Sequence, residues 1–544
     1  MTAALQQLRR LLAAPGLLLV AVLTGLGLTL FVLLPLVNAA LTPEAGTWRA
    51  LLGSSRYRLA VTNTLWLTAL SCVSAVGLGL LYALAVTRVR IPGWRFFSWV
   101  PLAGLFSPPF VGALALILLF GRNGIITSGL LGLDVSLYGW HGVWFAQTLS
   151  FFPLAYLVLS GVLRRVPSSL EQAASGYGAS GLAVLRSVTL PLARPGILAA
   201  TLFVSLSVLA DFGTPMLLGG RFRVLATEAY NRVAGWGDLQ TGTALGLVLL
   251  VPALLIYALQ ARAQAADRYA TVGSRATFGG TLAVPAWVRL GLFLLCLLVS
   301  LVLAAKMLAV LAGGLASAWA FDWTPTLEHY SWVLTRFGDI VHTFTLAPLA
   351  ALLGTALALA AAFLVHAARL PGRSVLDAVT MLPAAVPGTL FGIAYVLTFN
   401  RPPLELAGTS ALIVGNMAFM SLPTAYRICA AALQQTSRSL HEAAGSAGAG
   451  WLAAFRDITV PLLRGPAASA AMLVFIHSLG TLSAVIFLVA PGRNLASVSI
   501  LNLAEEGYWG GAAAIATVLM AAGAAVLGAA RLVLGRHFRP FGEI

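Results

Sequence analysis

The chain has 544 residues, of which 59% are apolar and only 9% charged. A soluble protein carries about 25% charged residues, so this composition excludes a cytosolic enzyme, a secreted domain and a disordered chain and leaves a polytopic membrane protein. The net charge of +16 comes from 33 Lys and Arg against 17 Asp and Glu, placed singly or in pairs between apolar runs. Nucleic-acid binding needs exposed basic clusters and is excluded; the basic residues mark loops on one side of a bilayer.

A helix crosses the hydrocarbon core with about 20 apolar residues. In chain order, twelve stretches qualify: 15–39, 62–87, 96–120, 137–163, 196–218 and 241–260, then 287–313, 341–366, 375–399, 407–434, 466–489 and 511–534. The first run is long enough to stay as a span rather than serve as a cleaved signal. With the N-terminus placed in the cytoplasm, the inner segments hold the whole basic excess and the outer ones are balanced, which supports an even number of spans and cytoplasmic termini. Trp140, Trp236, Trp319, Trp323 and Trp509 fall near expected outer ends, where amphipathic rings settle. Residues 261–284, with Arg262, Asp267, Arg268 and Arg275, read as a cytoplasmic linker between two six-span bundles. The fold class is therefore all-α, with domains at 1–270 and 271–544.

The halves repeat. SLEQAASGYGASGLAVLRSVTLPLARPG near residue 170 matches SLHEAAGSAGAGWLAAFRDITVPLLRGP near 440 at a spacing of 270, without a gap. Upstream, Arg90, Pro92, Gly93 and Pro108 match Arg369, Pro371, Gly372 and Pro387 at a spacing of 279. Six spans separate the copies, so they lie on the same side of the membrane. This is a parallel duplication that encloses a pathway at its interface. Each repeated segment lies on the basic side between a fourth and a fifth span. Ala, Leu and Glu or Gln favour helix there, Gly178 and Gly448 break it, and Pro191 and Pro461 start the next element. The expected form is a short helix, a turn and a second helix at the cytoplasmic surface.

Several single residues stand out from their runs. Cys72, Cys296 and Cys429 lie in apolar runs without CxxC spacing and read as packing residues. Asp211 is the one carboxylate expected inside a span, where a charge costs on the order of 3 kcal/mol on insertion scales; it reads either as a pathway group that meets a cation or as an acceptor that links helices. His477, at the matching depth of the second half, lacks a second ligand and reads as a hydrogen-bonded bundle residue, as do Asn63 and His342 at the starts of equivalent spans. No clustered set of hard oxygen ligands for a metal cation is present in the spans. Outer-loop charges at Arg221, Arg223, Glu228, Arg232 and Asp238, and at Arg493, Glu505 and Glu506, suit rim contacts to an external protein.

The repeated segments resemble the coupling motif of ATP-binding-cassette importer permeases: Glu-Ala-Ala, three residues, Gly, nine residues, Ile, one residue, Leu-Pro. The second copy supplies Glu442, Ala443, Ala444, Gly448, Ile458, Val460 and Pro461; the first supplies Gln172, Ala173, Ala174, Gly178, Val188, Leu190 and Pro191, with Glu171 one step early. The resemblance implies two tandem six-helix permease domains of the type I importer kind, in a bacterial inner membrane. It implies coupling helices that dock on a cytoplasmic ATPase, two copies of it, and a periplasmic or lipid-anchored binding protein that delivers substrate. No cofactor is expected on this chain, which has no GxxxxGK[ST] sequence; ATP and Mg belong to the partner ATPase. Gln172 implies a weaker or differently charged contact in the first half. The fused form, with Leu209–Pro215 including Thr214 and Leu482–Leu488 including Ser483, resembles ferric-iron permeases and relatives for thiamine, 2-aminoethylphosphonate and sugar phosphates. Asp211, Thr214, His477 and Ser483 are the candidate pathway residues. The competing class is an ion-coupled secondary transporter, which would carry more carboxylates in its spans; a membrane-embedded enzyme would need a clustered motif such as HExxH, and none occurs.

Overall fold

The computed structural model describes residues 15–104, 108–270, 280–319, 321–335, 337–368, 370–435 and 455–534, with single residues at 446, 450 and 453. Among them, ten helices are long and apolar enough to cross a membrane, or eleven if one sharply bent pair counts as a span. In the first half these are α1 (Pro15–Leu41), α3 (Ser55–Val89), α5 (Pro109–Phe120, running on through a wider turn to Leu130), α6 (Trp140–Arg165), α8 (Gly181–Leu209) and α11 (Leu239–Ala270). Shorter helices lie between them: α2 (Ala45–Gly53), α4 (Trp94–Gly104), α7 (Ser168–Gly176), α9 (Gly213–Leu218) and α10 (Leu225–Tyr230).

The second half runs α12 (Ala286–Leu315), a small hairpin of β1 (Ala316–Ala318) and β2 (Asp322–Pro325), α13 (Glu328–Thr335) and α14 (Phe337–Ala367). Next come α15 (Arg373–Met381), α16 (Gly388–Phe399), α17 (Ser410–Gln435), α18 (Phe455–Leu479), α19 (Ala496–Glu505) and α20 (Trp509–Leu534). The bent pair is Arg373–Ala385 with Gly388–Phe399, at 111°. Pro387 caps α16 here, as Pro108 caps α5. Proline lacks an N–H and bars helix at the residue before it, so both expected third spans break at the same place.

The fifth span of each half departs from expectation. The apolar runs 196–218 and 466–489 are not the helices. α8 begins at Gly181, where the Ser180 side chain accepts the Ala183 N–H at 3.3 Å, and it ends at Leu209. Pro191 stands in the first turn of the Leu190–Leu209 segment, as expected, and a wider turn over Leu185–Thr189 joins that segment to Gly181–Val184, so that α8 runs on through both. Pro461 follows the same kind of turn, Phe455–Thr459. A widened turn leaves the missing proline N–H without a required partner.

The repeat is carried by matched hydrogen bonds. Asn63 Nδ2 donates to the Arg223 carbonyl at 3.0 Å, and His342 Nδ1 lies 3.0 Å from the Asn494 carbonyl. The Leu225 N–H donates to Thr64 Oγ1 at 2.9 Å, and the Ala496 N–H to Thr343 Oγ1 at 2.9 Å. Asn63 and His342 therefore hold outer loops, the structural role expected of them.

The first span of each half packs on the other half. On α1, Phe31 stacks on Phe419 at 5.1 Å and on Phe399 at 5.3 Å, and its carbonyl accepts Tyr395 Oη at 2.8 Å. On the opposite side, Gly313 of α12 faces Leu118 of α5, and Trp319 Nε1 donates to the Leu118 carbonyl at 3.0 Å. Ring pairs of this kind add about 0.5–1.5 kcal/mol beyond area burial, and the exchange ties the two bundles into one body.

Candidate functional site: a seam between the halves and the first repeated loop

Glycine lets the halves approach at the centre. A Cβ on Gly480, just past α18, would lie 3.0 Å from Pro108 Cγ. A Cβ on Gly213 would lie 2.8 Å from Phe110 Cβ and 3.1 Å from Leu482 Cδ2. Tyr230 and Phe487 face across the same seam at 5.7 Å. Ser483, at the position matching Gly213, packs against Gly388.

Asp211 sits at this seam. It lies beyond the end of α8, in the break before α9, and not within a helix as expected. Its Oδ1 accepts the Thr214 N–H at 3.2 Å and its Oδ2 accepts Gln147 Nε2 at 3.1 Å; Gln147 Oε1 accepts Ser71 Oγ at 2.8 Å. The break frees backbone groups that the carboxylate satisfies, which is how irregular chain persists at membrane depth. Asp211 is half-buried and His477 is exposed. His477 Nδ1 lies 3.0 Å from Ser421 Oγ. Thr214 is fully buried and contributes its N–H rather than a free face. Sequence reading passed over Gln147 and Ser71, since nothing in their own runs marks them.

It also passed over Lys306, the lone charge within the apolar interior of α12. This side chain is 3% exposed. A Cβ on Gly112 would stand 2.8 Å from its Nζ and 3.2 Å from Ser150 Oγ, so glycine makes room for the ammonium. Its signal was a single Lys in an apolar run.

At the opposite end, the first repeated loop has the expected form. α7 carries Gln172, Ala173 and Ala174, and Gly178 turns the chain at a φ of 85°. Gln172 and Ala173 are exposed, Ala174 half-buried, and Tyr177 is 95% exposed beside the exposed Leu170. Glu171 points inward instead, 3% exposed and 3.0 Å from Arg88. Glu442, Ala443, Ala444 and Gly448 of the second loop lie outside the described residues; Pro461 lies at the start of the Val460–Leu479 segment.

The outer loops are less free than expected. Glu228 is wholly buried and paired with Arg56 at 2.9 Å and Arg223 at 3.2 Å, so it is a structural anchor and not a rim charge. Asp238 Oδ1 accepts the Thr241 N–H at 2.9 Å. Glu505 keeps an exposed position, and partial burial pushes its carboxyl above the ordinary range.

Residues 75–266 and 350–540 each match the family model described as the binding-protein-dependent transport system inner membrane component. The chain belongs to this family. It is a fused, multi-pass membrane permease of an ATP-binding-cassette importer, and the ion-coupled transporter class is set aside. It is 30% identical to the ferric transport system permease protein FbpB of Actinobacillus pleuropneumoniae over 86% of this chain and 70% of that one. It is 31% identical to the putative ferric transport system permease protein FbpB 1 of Haemophilus influenzae over 79% of this chain and 70% of the relative. One half is 32% identical to the molybdenum transport system permease protein ModB of Mycobacterium tuberculosis, covering 42% of this chain and 87% of ModB. Among solved structures, a bacterial alginate ABC transporter in complex with its periplasmic protein aligns over 47% of this chain and 96% of its own, at 20% identity and a TM-score of 0.38.

Proposed function

We propose that this permease imports ferric iron, delivered by a periplasmic or lipid-anchored binding protein, through the seam between domains 1–270 and 271–544. The observation that carries the reading is the likeness to ferric permeases along most of the chain. The seam supports it with one fixed carboxylate, Asp211, whose two oxygens are held and aimed by Gln147 and Thr214. A single hard oxygen donor suits passage of a hard cation better than its retention. Thr214, Ser483 and His477 flank that path.

Both termini are cytoplasmic in this reading, because that placement puts the basic excess inside. The exposed face of α7, with Leu170, Ala173 and Tyr177, then meets a cytoplasmic ATPase, one copy beneath each loop. Glu442, Ala443, Ala444, Gly448 and Pro461 play the matching part in the second half. ATP and Mg are bound by the ATPase; this chain supplies the path and the coupling surfaces. Because Glu171 is turned inward, the first loop offers no carboxylate where the second offers Glu442, and the two contacts differ in charge.

Uptake of radiolabelled ferric iron by iron-limited cells tests this. Deleting the chain should abolish uptake, and the intact chain should restore it. Glu442→Lys with Gly448→Trp should insert normally and restore nothing. Unchanged iron uptake on deletion would overturn the iron assignment and move the cargo to 2-aminoethylphosphonate, a sugar phosphate or thiamine, in that order. Normal uptake by the double variant would overturn the coupling assignment.

A further inference from the structure

At the inner end of α3 a single guanidinium gathers four segments. Arg88 is 1% exposed. Its Nη1 donates to Glu171 Oε2 on α7 at 3.0 Å and to the Gly280 carbonyl at 3.4 Å. Its Nη2 donates to the Val166 carbonyl at 2.8 Å and to the Leu163 carbonyl, at the end of α6. The other oxygen of Glu171 accepts the Thr189 hydroxyl of α8 at 2.7 Å. The Arg88 carbonyl accepts the Leu282 N–H at 2.9 Å, so the segment that leads into the second half is laid against the same point. Glycines keep the layers in contact: a Cβ on Gly181 would stand 1.9 Å from the Ala283 carbonyl oxygen.

The two charges of this cluster do not recur at the matching sequence positions. At the matching spacings the second half has Ala367 for Arg88 and His441 for Glu171. Both charges are missing together. The helices joined here, α3, α6 and α8, are also those joined at the seam, where Ser71 of α3 bonds Gln147 of α6, and Gln147 bonds Asp211 just beyond α8. That polar chain takes a different form in the second half, where the matching residues are Ala350, Met417 and Thr481 and where Ser421 of α17 pairs with His477 of α18 instead. The first half is thus pinned by polar contacts at both ends of the same three helices. The matching positions of the second half are apolar, a threonine or His441, and its own polar contacts join Tyr426 of α17 to Asp377 of α15 and His366 of α14.

We propose that Arg88 and Glu171 are positioning residues that form the transmission joint of the first half. They fix α7 to the ends of α3, α6 and α8, so that a displacement of α7 by the ATPase reaches Asp211 as movement of one rigid three-helix unit. Charged hydrogen bonds away from water resist displacement more than loop connections do. ATP closure therefore reaches the gate through a guanidinium–carboxylate joint in the first half and through different contacts in the second. The inference rests on the reading of α7 as the ATPase contact and adds the asymmetry of transmission.

The test uses the full complex with its ATPase and binding protein in proteoliposomes, and reads ferric iron taken up per ATP hydrolysed. Only permease that co-purifies with the ATPase is reconstituted, so poor folding lowers the yield but leaves the ratio untouched. Arg88→Met with Glu171→Met removes both charges and leaves neither unpaired. This variant should hydrolyse ATP within twofold of the wild type while uptake per ATP falls at least tenfold. Arg88→Lys, which keeps the charge toward Glu171, should recover at least half of the loss. If the double variant yields no complex, Glu171→Gln, which keeps the shape and drops the charge, should lower the same ratio at least threefold. A wild-type ratio in the neutral variants overturns the joint. A wild-type complex that hydrolyses ATP without moving iron overturns the cargo reading alone; the ratio is then taken with 2-aminoethylphosphonate.

Discussion

Asp211 carries two jobs that can be separated. As an acceptor it satisfies the Thr214 N–H and the Gln147 amide; as a charge it meets the cargo. Asparagine preserves the shape and one acceptor oxygen. Asp211→Asn should therefore keep the fold and lower ferric uptake roughly tenfold, about 1.4 kcal/mol of lost interaction; uptake at the wild-type level would assign Asp211 to structure alone. Glu228 offers the opposite case. Its carboxylate is fully buried, but Arg56 and Arg223 are 39% and 48% exposed and can turn to water. Glu228→Ala should thus cost about 1.5–3 kcal/mol, the range for charged hydrogen bonds, and not the larger penalty of an orphaned buried ion. A lower thermal midpoint in detergent would check this; an unchanged one would contradict it. Asp211 was legible because a carboxylate in an apolar run is expensive. Arg88 and Glu228 were not, because at the margins of spans the sequence cannot separate a buried charge from a solvated one.

The helices were legible where apolar length and helix length coincide. α6 and α12 lie close to their expected runs. They diverge at α8 and α18, where helix extends through a polar stretch containing proline and stops before the apolar run ends. Hydropathy reports what the chain is surrounded by, and the segments after Leu209 and Leu479 are largely buried in protein. The short helix, the turn at Gly178 and the second helix of the first loop follow directly from their residues. The inward turn of Glu171 does not, since it depends on Arg88, 83 residues away. It gives the loops unequal roles. Gln172→Lys alters an already exposed, uncharged side chain, whereas Glu442→Lys reverses a charge. Transport should fall at least fivefold more in the second variant. Equal losses would mean that the two loops make the same contact.

At the scale of the molecule, the duplication was readable from spacing alone, and matched hydrogen bonds at Asn63 and His342 now carry it in geometry. The exchange of first spans was not readable, because apolar helices at unlike positions look alike in sequence. Its consequence is that the halves cannot part widely. In the proposed reading, opening takes place at the glycine-lined seam, where Gly480 meets Pro108 and Gly213 meets Phe110 and Leu482. Gly480→Leu adds a side chain where even a Cβ would be 3.0 Å from Pro108. Membrane insertion should be unaffected and uptake lost; normal uptake would place the path elsewhere. Proteoliposomes that hold this chain with its ATPase and a ferric binding protein give the most direct measurement of ATP-driven iron import through this seam. Iron should accumulate only with ATP, and should not accumulate when Glu442→Lys and Gly448→Trp are present. Accumulation without ATP, or in that double variant, would contradict the account.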